Sequence, residues 1–456
     1  MNFDFQSDSS TKYIQVYEYY KELITTGRLP EHTKIPSIRK CAQQLGLSRT
    51  TIETAYLCLA ADGYIIARPQ SGYYVTARET NKQKLQNTTI SATTSHPKQP
   101  YNPILYNFTS NNVDADSFDF NLWRRYIKST LRHDKRMLTY GESQGEYELR
   151  ETLCSYVIKK RNAACRPENI VIGAGSQALL NILCPLIKDR RSVCFHDTPF
   201  AQGMVIFQDY GFEIKKEWEA AGILYMTPSH MTSFGDTLPP EKRQPFLKKC
   251  QAQNQLIIED DYNNEFRYFN RPTPCLQGLS GGKNVVYLST FSKLLLPSIR
   301  LSFMILPDEL LPFYEQKKAL YNQTASKSEQ LALCQFLRDG HLDSQIRKLK
   351  RLYTNKAKAL SSLLEEAFGK NAVVFMGESV FMVHIKLNCG LTSQELQKKA
   401  QENGILVFSC APQAEPRKNS AEIGNTYSAH IALSCCEVPV TEFPKAVQRF
   451  KQAAGI

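Results

Sequence analysis

At 456 residues, with 42% hydrophobic and 22% charged residues, the chain has room for one small and one large globular domain and is too apolar to be disordered or fibrous. Its most apolar stretch, Ile170 to Ile187, is broken by Gly, Ser, Gln, Asn and Pro, so no membrane span is expected. The start MNFDFQSDSS lacks the basic run of a signal peptide, which points to the cytoplasm. A net charge of +12 permits a polyanionic partner, while thirteen cysteines without CxxC or Cys/His spacing read as core residues in a reducing compartment, with no metal site expected.

Residues 11–78 form a head. Tyr13, Ile14, Tyr17, Tyr20 and Ile24 recur at helical spacing before Gly27. Ser37 then caps a short helix carrying Ile38, Ala42 and Leu45; Gly46 breaks it, and Ser48 caps a third helix whose inner face is Ile52, Ala55, Tyr56 and Leu59. Two helices about a glycine turn make a helix-turn-helix, and the strand-like runs 64–68 and 72–76, joined by PQSG, add a wing. Between His32 and Ile52 there is no acid, against Lys34, Arg39, Lys40 and Arg49. That pattern suits a polyanion such as DNA.

Residues 79–101 are polar and cannot bury a core, so they read as a flexible linker. From 102 to 456 strand-like and helical runs alternate, as a large, mostly parallel sheet requires, before a smaller α+β lobe at the C-terminus. Trp123, Ile127 and Leu131 share a helix face, and YGESQGEYELR turns into another helix. Asn169 to Ile172 is a strand running into Gly173-Ala174-Gly175-Ser176-Gln177, where backbone N–H groups at a helix start can hold an anion. A strand at 192–195 leads to HDTPFAQG. In the last third Lys356 to Phe368 is helical, 373–375, 382–387, 405–408 and 430–434 are strands, and Val440 to Phe450 carries a final helix.

The stretch from Leu256 to Arg300 organises the rest. Two short apolar strands end, respectively, in LIIEDDYNNEF and in VVYLSTFSKLLLPSIR, delivering Asp260, Tyr262, Thr290, Ser292, Lys293 and Arg300 to the edge where open α/β sheets bind ligands. Pyridoxal phosphate (PLP) suits this set: its aldehyde takes a lysine amine, its ring nitrogen an acid, and its phosphate hydroxyls and an arginine.

IIEDDYxxEFRY with TFSK resembles the MocR branch of bacterial regulators, and IPSIRKCAQQLGLSRTTIETAYLCLAADGYIIARPQSGYYV resembles the winged helix-turn-helix of GntR-type regulators. The resemblance implies a fold type I aminotransferase-like domain in which Lys293 carries the internal aldimine, Asp260 holds the pyridine nitrogen and Tyr262 bonds the ring hydroxyl. Gly175, Ser176, Gln177, Thr290, Ser292 and Arg300 would hold the phosphate, with Phe200 stacked on the ring. Tyr140 would either reach the partner subunit's phosphate or serve as a structural tyrosine at its turn. The resemblance also implies a domain-swapped homodimer on a double-stranded DNA operator, with Arg39 and Lys40 on phosphates, Ser48, Arg49, Thr50 and Thr51 at the start of the helix that enters the major groove, and Arg68 and Ser71 in the wing.

The chain departs from that pattern where a ligand's carboxylate would be held. Ala432 stands at the place of the family's late-strand arginine and Gln202 at that of a second, leaving Arg417 or Lys418 as substitutes. Two readings follow. In the first the protein is a transcription regulator that senses PLP, as vitamin B6-regulating members do, or an amine effector; in the second it is a working aminotransferase with an accessory DNA-binding head.

Overall fold

The computed structural model describes residues 11–76, 103–110, 112–132, 134–195, 200–228, 238–262, 264–266, 273–377, 381–410 and 428–456. The chain divides into two compact units, Met1–Tyr101 and Asn102–Ile456. The expected linker, 79–101, and the substitutes Arg417 and Lys418 lie outside the described residues.

In the first unit, helix α1 (Lys12–Thr25) packs on α3 (Arg49–Ala61), with α2 (Ile38–Leu45) between them in sequence and a hairpin of β1 (Ile65–Arg68) and β2 (Gly72–Val75) behind. The buried face of α1 is Val16 and Tyr20, one turn apart, whereas Ile14 is exposed. Tyr13, Tyr17 and Ile24 of the expected stripe pack partly buried against the same core, Tyr17 keeping its hydroxyl at the rim on Asp62. Ser37 accepts the Lys40 N–H and Ser48 the Thr51 N–H, each satisfying a helix-start donor. Gly46 closes α2 in the left-handed region at φ 64°, a conformation glycine adopts without steric cost. Tyr56, wholly buried, meets Tyr20 and Tyr73 edge-on and donates to the Pro36 carbonyl, tying the three helices to the wing.

The second unit is built on a seven-stranded sheet. Its strands are β4 (Ile170–Gly173), β5 (Ser192–Phe195), β6 (Glu213–Lys215), β7 (Ile223–Met226), β8 (Leu256–Asp260), β9 (Val285–Thr290) and β10 (Ser302–Ile305), in the order β4-β10-β9-β8-β7-β5-β6. The β9-β8-β7-β5-β6 ladder is parallel, and β10 runs antiparallel to both its neighbours. Both faces are covered: Ile170 and Ile172 enter one core and Val171 another, and every residue of β8 is buried.

The smaller lobe carries an antiparallel sheet of β11 (Ala372–Met376), β12 (Met382–Leu387), β15 (Ala429–Ser434) and β14 (Phe408–Ser409). The run 405–408, expected as one strand, is two. Val407 turns inward and the backbone changes partner, so β13 (Ile405–Leu406) pairs in parallel with β3 (Tyr106–Asn107) while β14 joins β15. The helix expected over 356–368 is longer, His341–Phe368, its first half masked by a basic surface pattern. In the helix Phe120–Leu131 the buried face is Trp123, Tyr126 and Thr130, not Leu131, which is exposed.

Lys356 sits mid-helix, almost wholly buried, and its ammonium pairs with Asp114 and the Cys436 carbonyl. Removing one member of a buried pair leaves an uncompensated charge, so Lys356→Ala should lower stability by about 3–5 kcal/mol. The loss should be largely recovered when Asp114→Ala is added to Lys356→Met. Both tryptophans, Trp123 and Trp218, lie in the second unit, so urea unfolding followed by tryptophan fluorescence reads this unit alone.

Candidate cofactor site and nucleic-acid interface

Three acids leave β8 in succession, and each faces a different environment. Glu259 accepts the N–H groups of Leu276 (2.9 Å) and Gln277 (3.0 Å), anchoring the short helix Leu276–Leu279. Asp261 accepts from Arg161 Nε and from the Tyr287 hydroxyl, both at 2.7 Å, and the same guanidinium donates to the Thr273 carbonyl. Asp260 accepts the Tyr225 hydroxyl at Oδ2 (2.6 Å), while its Oδ1 is buried with no hydrogen-bond partner. Burial, reinforced by the Asp261 charge and opposed by the Tyr225 bond, pushes the Asp260 carboxyl up to about 6. Burial likewise pushes Glu259 and Glu265 up to about 7 and the Tyr262 phenol upward.

The other end of the site is set by strand register. Gly173, Ser302 and Thr290 lie abreast on β4, β10 and β9. Thr290 and Ser292 share a hydroxyl–hydroxyl bond of 3.0 Å. Arg300 adopts the left-handed region at φ 54°, costly for a residue with a Cβ, and its guanidinium reaches the Ala174 carbonyl at 3.5 Å. Gly175, at φ 94°, lies so close that a Cβ there would strike that guanidinium. Ser176, half-buried, and Gln177, exposed, open the helix Ser176–Leu183. Together these residues form a cradle of backbone N–H groups, hydroxyls and one cation, the chemistry that holds a phosphate.

Lys293 extends its ammonium over the Phe381 ring, 5.3 Å from the centroid, and 3.8 Å from Cys436 Sγ. Phe200 leans on Tyr225 with centroids 5.9 Å apart, and Phe195 stacks on the same Tyr225 ring at 4.9 Å. Tyr140 is fully exposed on its loop, where its carbonyl accepts from the Lys327 ammonium. Sequence reasoning missed Tyr225, Arg161 and Cys436. Of these only Tyr225 left a signal, a polar-tipped residue in the otherwise apolar run ILYM.

In the head, Arg39, Lys40, Ser48, Arg49 and Thr50 are exposed. The hydroxyls of Ser48 and Thr51 are bonded to each other at 2.7 Å, so Thr51 serves the cap and Arg49 and Thr50 lead the exposed face of α3. Glu53 is exposed one turn further on, where an acid suits the amino edge of a base rather than a phosphate. The wing tip is organised by Tyr74, which bonds Ser71 at 2.6 Å and lies under Arg68, 4.6 Å from the ring centroid. Lys34 approaches the same ring at 5.8 Å.

Residues 12–75 match the gntR family of bacterial regulatory proteins, and residues 103–420 match aminotransferase class I and II. The uncharacterized HTH-type transcriptional regulator YdeL of Bacillus subtilis is 32% identical over 428 residues, 90% of this chain and 92% of that protein. The probable rhizopine catabolism regulatory protein MocR of Rhizobium meliloti is 26% identical, covering 86% of this chain and 85% of that protein. The chain belongs to the MocR-type GntR regulators. A further relative of this MocR-type chain is the pyridoxine biosynthesis transcriptional regulator PdxR of Corynebacterium glutamicum, 25% identical over 77% of this chain and 78% of that protein. The fold of the second unit is that of an archaeal alanine:glyoxylate aminotransferase, with a TM-score of 0.63 and 20% identity over 78% of this chain and 91% of that one.

Ala432 is buried on β15 between His384 of β12 and Phe408 of β14, and Gln202 is exposed. The sequence carries no metal-site spacing, yet His384, Cys410 and His430 converge in the small lobe, each ligand atom within 4.8 Å of the others. They lie on separate strand segments brought together by antiparallel pairing, which no local spacing reveals.

The raised Asp260 pKa sets a pH dependence in the cofactor-free protein. The native carboxyl holds its proton up to about 6 while the unfolded one releases it near 4, so this contribution to stability is full at low pH and lost as pH rises through about 6. Asp260→Asn, which carries no such charge, should therefore gain stability relative to the parent as pH rises from 4.5 to 7.5. Thermal melts of the two proteins across that range check it, and parallel pH profiles would remove the assignment.

Proposed function

We propose that this chain is a DNA-binding transcription regulator whose aminotransferase-like unit holds PLP as a sensor and does not turn over amino acids. The observation that carries this reading is Asp260: a wholly enclosed carboxylate with one oxygen committed to Tyr225 and the other without a partner. A buried half-satisfied acid is costly, and a protonated ring nitrogen would satisfy it. The cradle at the far end fits the same group, because Gly175, lacking a Cβ, lets the Arg300 guanidinium lie against the start of the helix that Ser176 opens.

On this reading Lys293 provides the amine that captures the aldehyde, Tyr262 serves the ring hydroxyl and Phe200 covers the ring face. Gly175, Ser176, Gln177, Thr290, Ser292 and Arg300 hold the phosphate, and Tyr140 reaches the partner of a homodimer. PLP supplies an electrophilic carbon and an electron-accepting ring. The chain's own residues keep a charge at Asp260, exclude water with Phe381 and present the Lys293 amine.

Two points favour sensing over turnover. An aminotransferase must grip its substrate's carboxylate, and a bidentate arginine contributes on the order of 2–3 kcal/mol to that grip; Ala432 and Gln202 cannot provide it. The relatives named above are regulators, and PdxR is named for pyridoxine biosynthesis, which supports PLP itself as the effector.

The test is binding to DNA upstream of the chain's own gene, at fixed salt, with and without PLP, for the parent and Lys293→Ala. PLP should change the parent's affinity and leave the variant's unaltered, and the near-visible absorption of bound PLP should vanish in Lys293→Ala. Specific binding indifferent to PLP would overturn PLP as the signal, and amino-acid-dependent keto acid release would restore the aminotransferase reading.

For the head, Arg49→Ala should lose about 1–3 kcal/mol of discrimination between operator and scrambled DNA, whereas Arg39→Ala should weaken both alike and reduce the salt slope by about 1. Equal losses on both DNAs for Arg49→Ala would remove it from base reading.

A further inference from the structure

The small lobe holds a cluster that the cofactor reading leaves unused. His384 on β12 and His430 on β15 project from one face of the sheet: His384 is paired with Ala432, two residues from His430, and their rings stand 5.5 Å apart at 60°. Cys410 follows β14, and its N–H donates to the His430 carbonyl at 3.0 Å, which sets its thiol beside them. Phe375 stacks on His384 with centroids 5.2 Å apart and leans on His430 at 5.8 Å, fixing both rings. His384 and Cys410 are buried, and His430 is partly exposed, giving a route in.

We propose that His384, Cys410 and His430 bind a thiophilic divalent cation of the zinc class. Two imidazoles and a thiolate are the donors that borderline-soft, tetrahedral ions prefer, and they discriminate against magnesium and calcium, which require oxygen. Ligand atoms on a tetrahedral zinc ion stand about 3.5 Å apart, given bonds of about 2.0–2.3 Å. The present separations, within 4.8 Å, close to that value by small side-chain rotations on three paired strand segments. Lys386 lies on the same face with its ammonium over the Phe375 ring at 5.7 Å, and its charge opposes a cation; the Cys410 thiolate, formed as the metal displaces its proton, offsets that charge. Among the described residues no fourth His, Cys, Asp or Glu joins the cluster, so the fourth position falls to water or an exogenous ligand.

The experiment uses the full-length protein, stripped with a chelator and titrated with zinc sulfate, with cobalt(II) as the spectroscopic probe. One zinc per chain should survive desalting, and cobalt should give a thiolate charge-transfer band with the intense visible bands of a tetrahedral site. Cys410→Ser should abolish the charge-transfer band, and His384→Ala should weaken zinc binding by at least about a hundredfold, beyond what a change outside the ligand set costs. Cys389→Ser, a half-exposed thiol outside the cluster, should leave both unchanged. If a variant fails to fold, His430→Gln, at the partly exposed ring, repeats the measurement. No retained zinc, or a cobalt band that survives Cys410→Ser, overturns the site.

Discussion

The Arg161–Asp261 pair, buried on both sides, is the constraint on which the site depends. Arg161 closes the helix Tyr147–Arg161, and its guanidinium joins Asp261 at the tip of β8 to the loop at Thr273. Because Asp261 has its own cation and the Tyr287 hydroxyl, and Glu259 has two backbone N–H donors, the middle acid alone remains half-committed. Breaking such a pair leaves a buried charge uncompensated, so it acts as a lock between a helix and the sheet edge more than as a source of net stability. Its effect is to hold three adjacent carboxylates apart electrically, so that one can face a ligand.

Much of this was legible in the sequence, and what was not has a common cause. The caps at Ser37 and Ser48, the glycine at 46, the wing turn and the strands β4, β5, β8 and β9 announce themselves through local pattern, since each depends on its immediate neighbours. The partners of the site do not. Arg161 is 100 residues from Asp261, Tyr225 is 35 from Asp260 and Cys436 is 143 from Lys293, and only the strand order brings them together. The same holds for β10, whose SFMI run carries no sign that it lies antiparallel between β4 and β9, and for the His384, Cys410 and His430 cluster. Where periodicity misled, at Ile14 and Leu131, an apolar residue at the edge of the expected face is exposed while Val16, Tyr126 and Thr130 are buried, since amphipathic tyrosines and threonines can sit either way.

The head shows the same division of labour at smaller scale. Its mostly aliphatic core is threaded by Tyr20, Tyr56 and Tyr73, which meet edge to face and join two helices to the hairpin. Cap formation uses the hydroxyls of Ser48 and Thr51, which leaves the long side chains of Arg49 and Arg68 to carry polar contacts outward. Tyr74 links Lys34, Arg68 and Ser71 into one basic tip, so charge on the wing is positioned by a ring and not by a loop backbone.

The pairing of β3 with β13 gives the second unit an unusual entrance. Its first described residues belong to the small lobe: Tyr106 and Asn107 lie along Ile405 and Leu406, Phe108 accepts the Ser434 N–H, and Asp114 is held by Lys356. These first residues of the second unit are thus hydrogen-bonded and ion-paired into the small lobe, so Tyr106 to Asp114 behave as part of that lobe although some three hundred residues separate them from it in sequence.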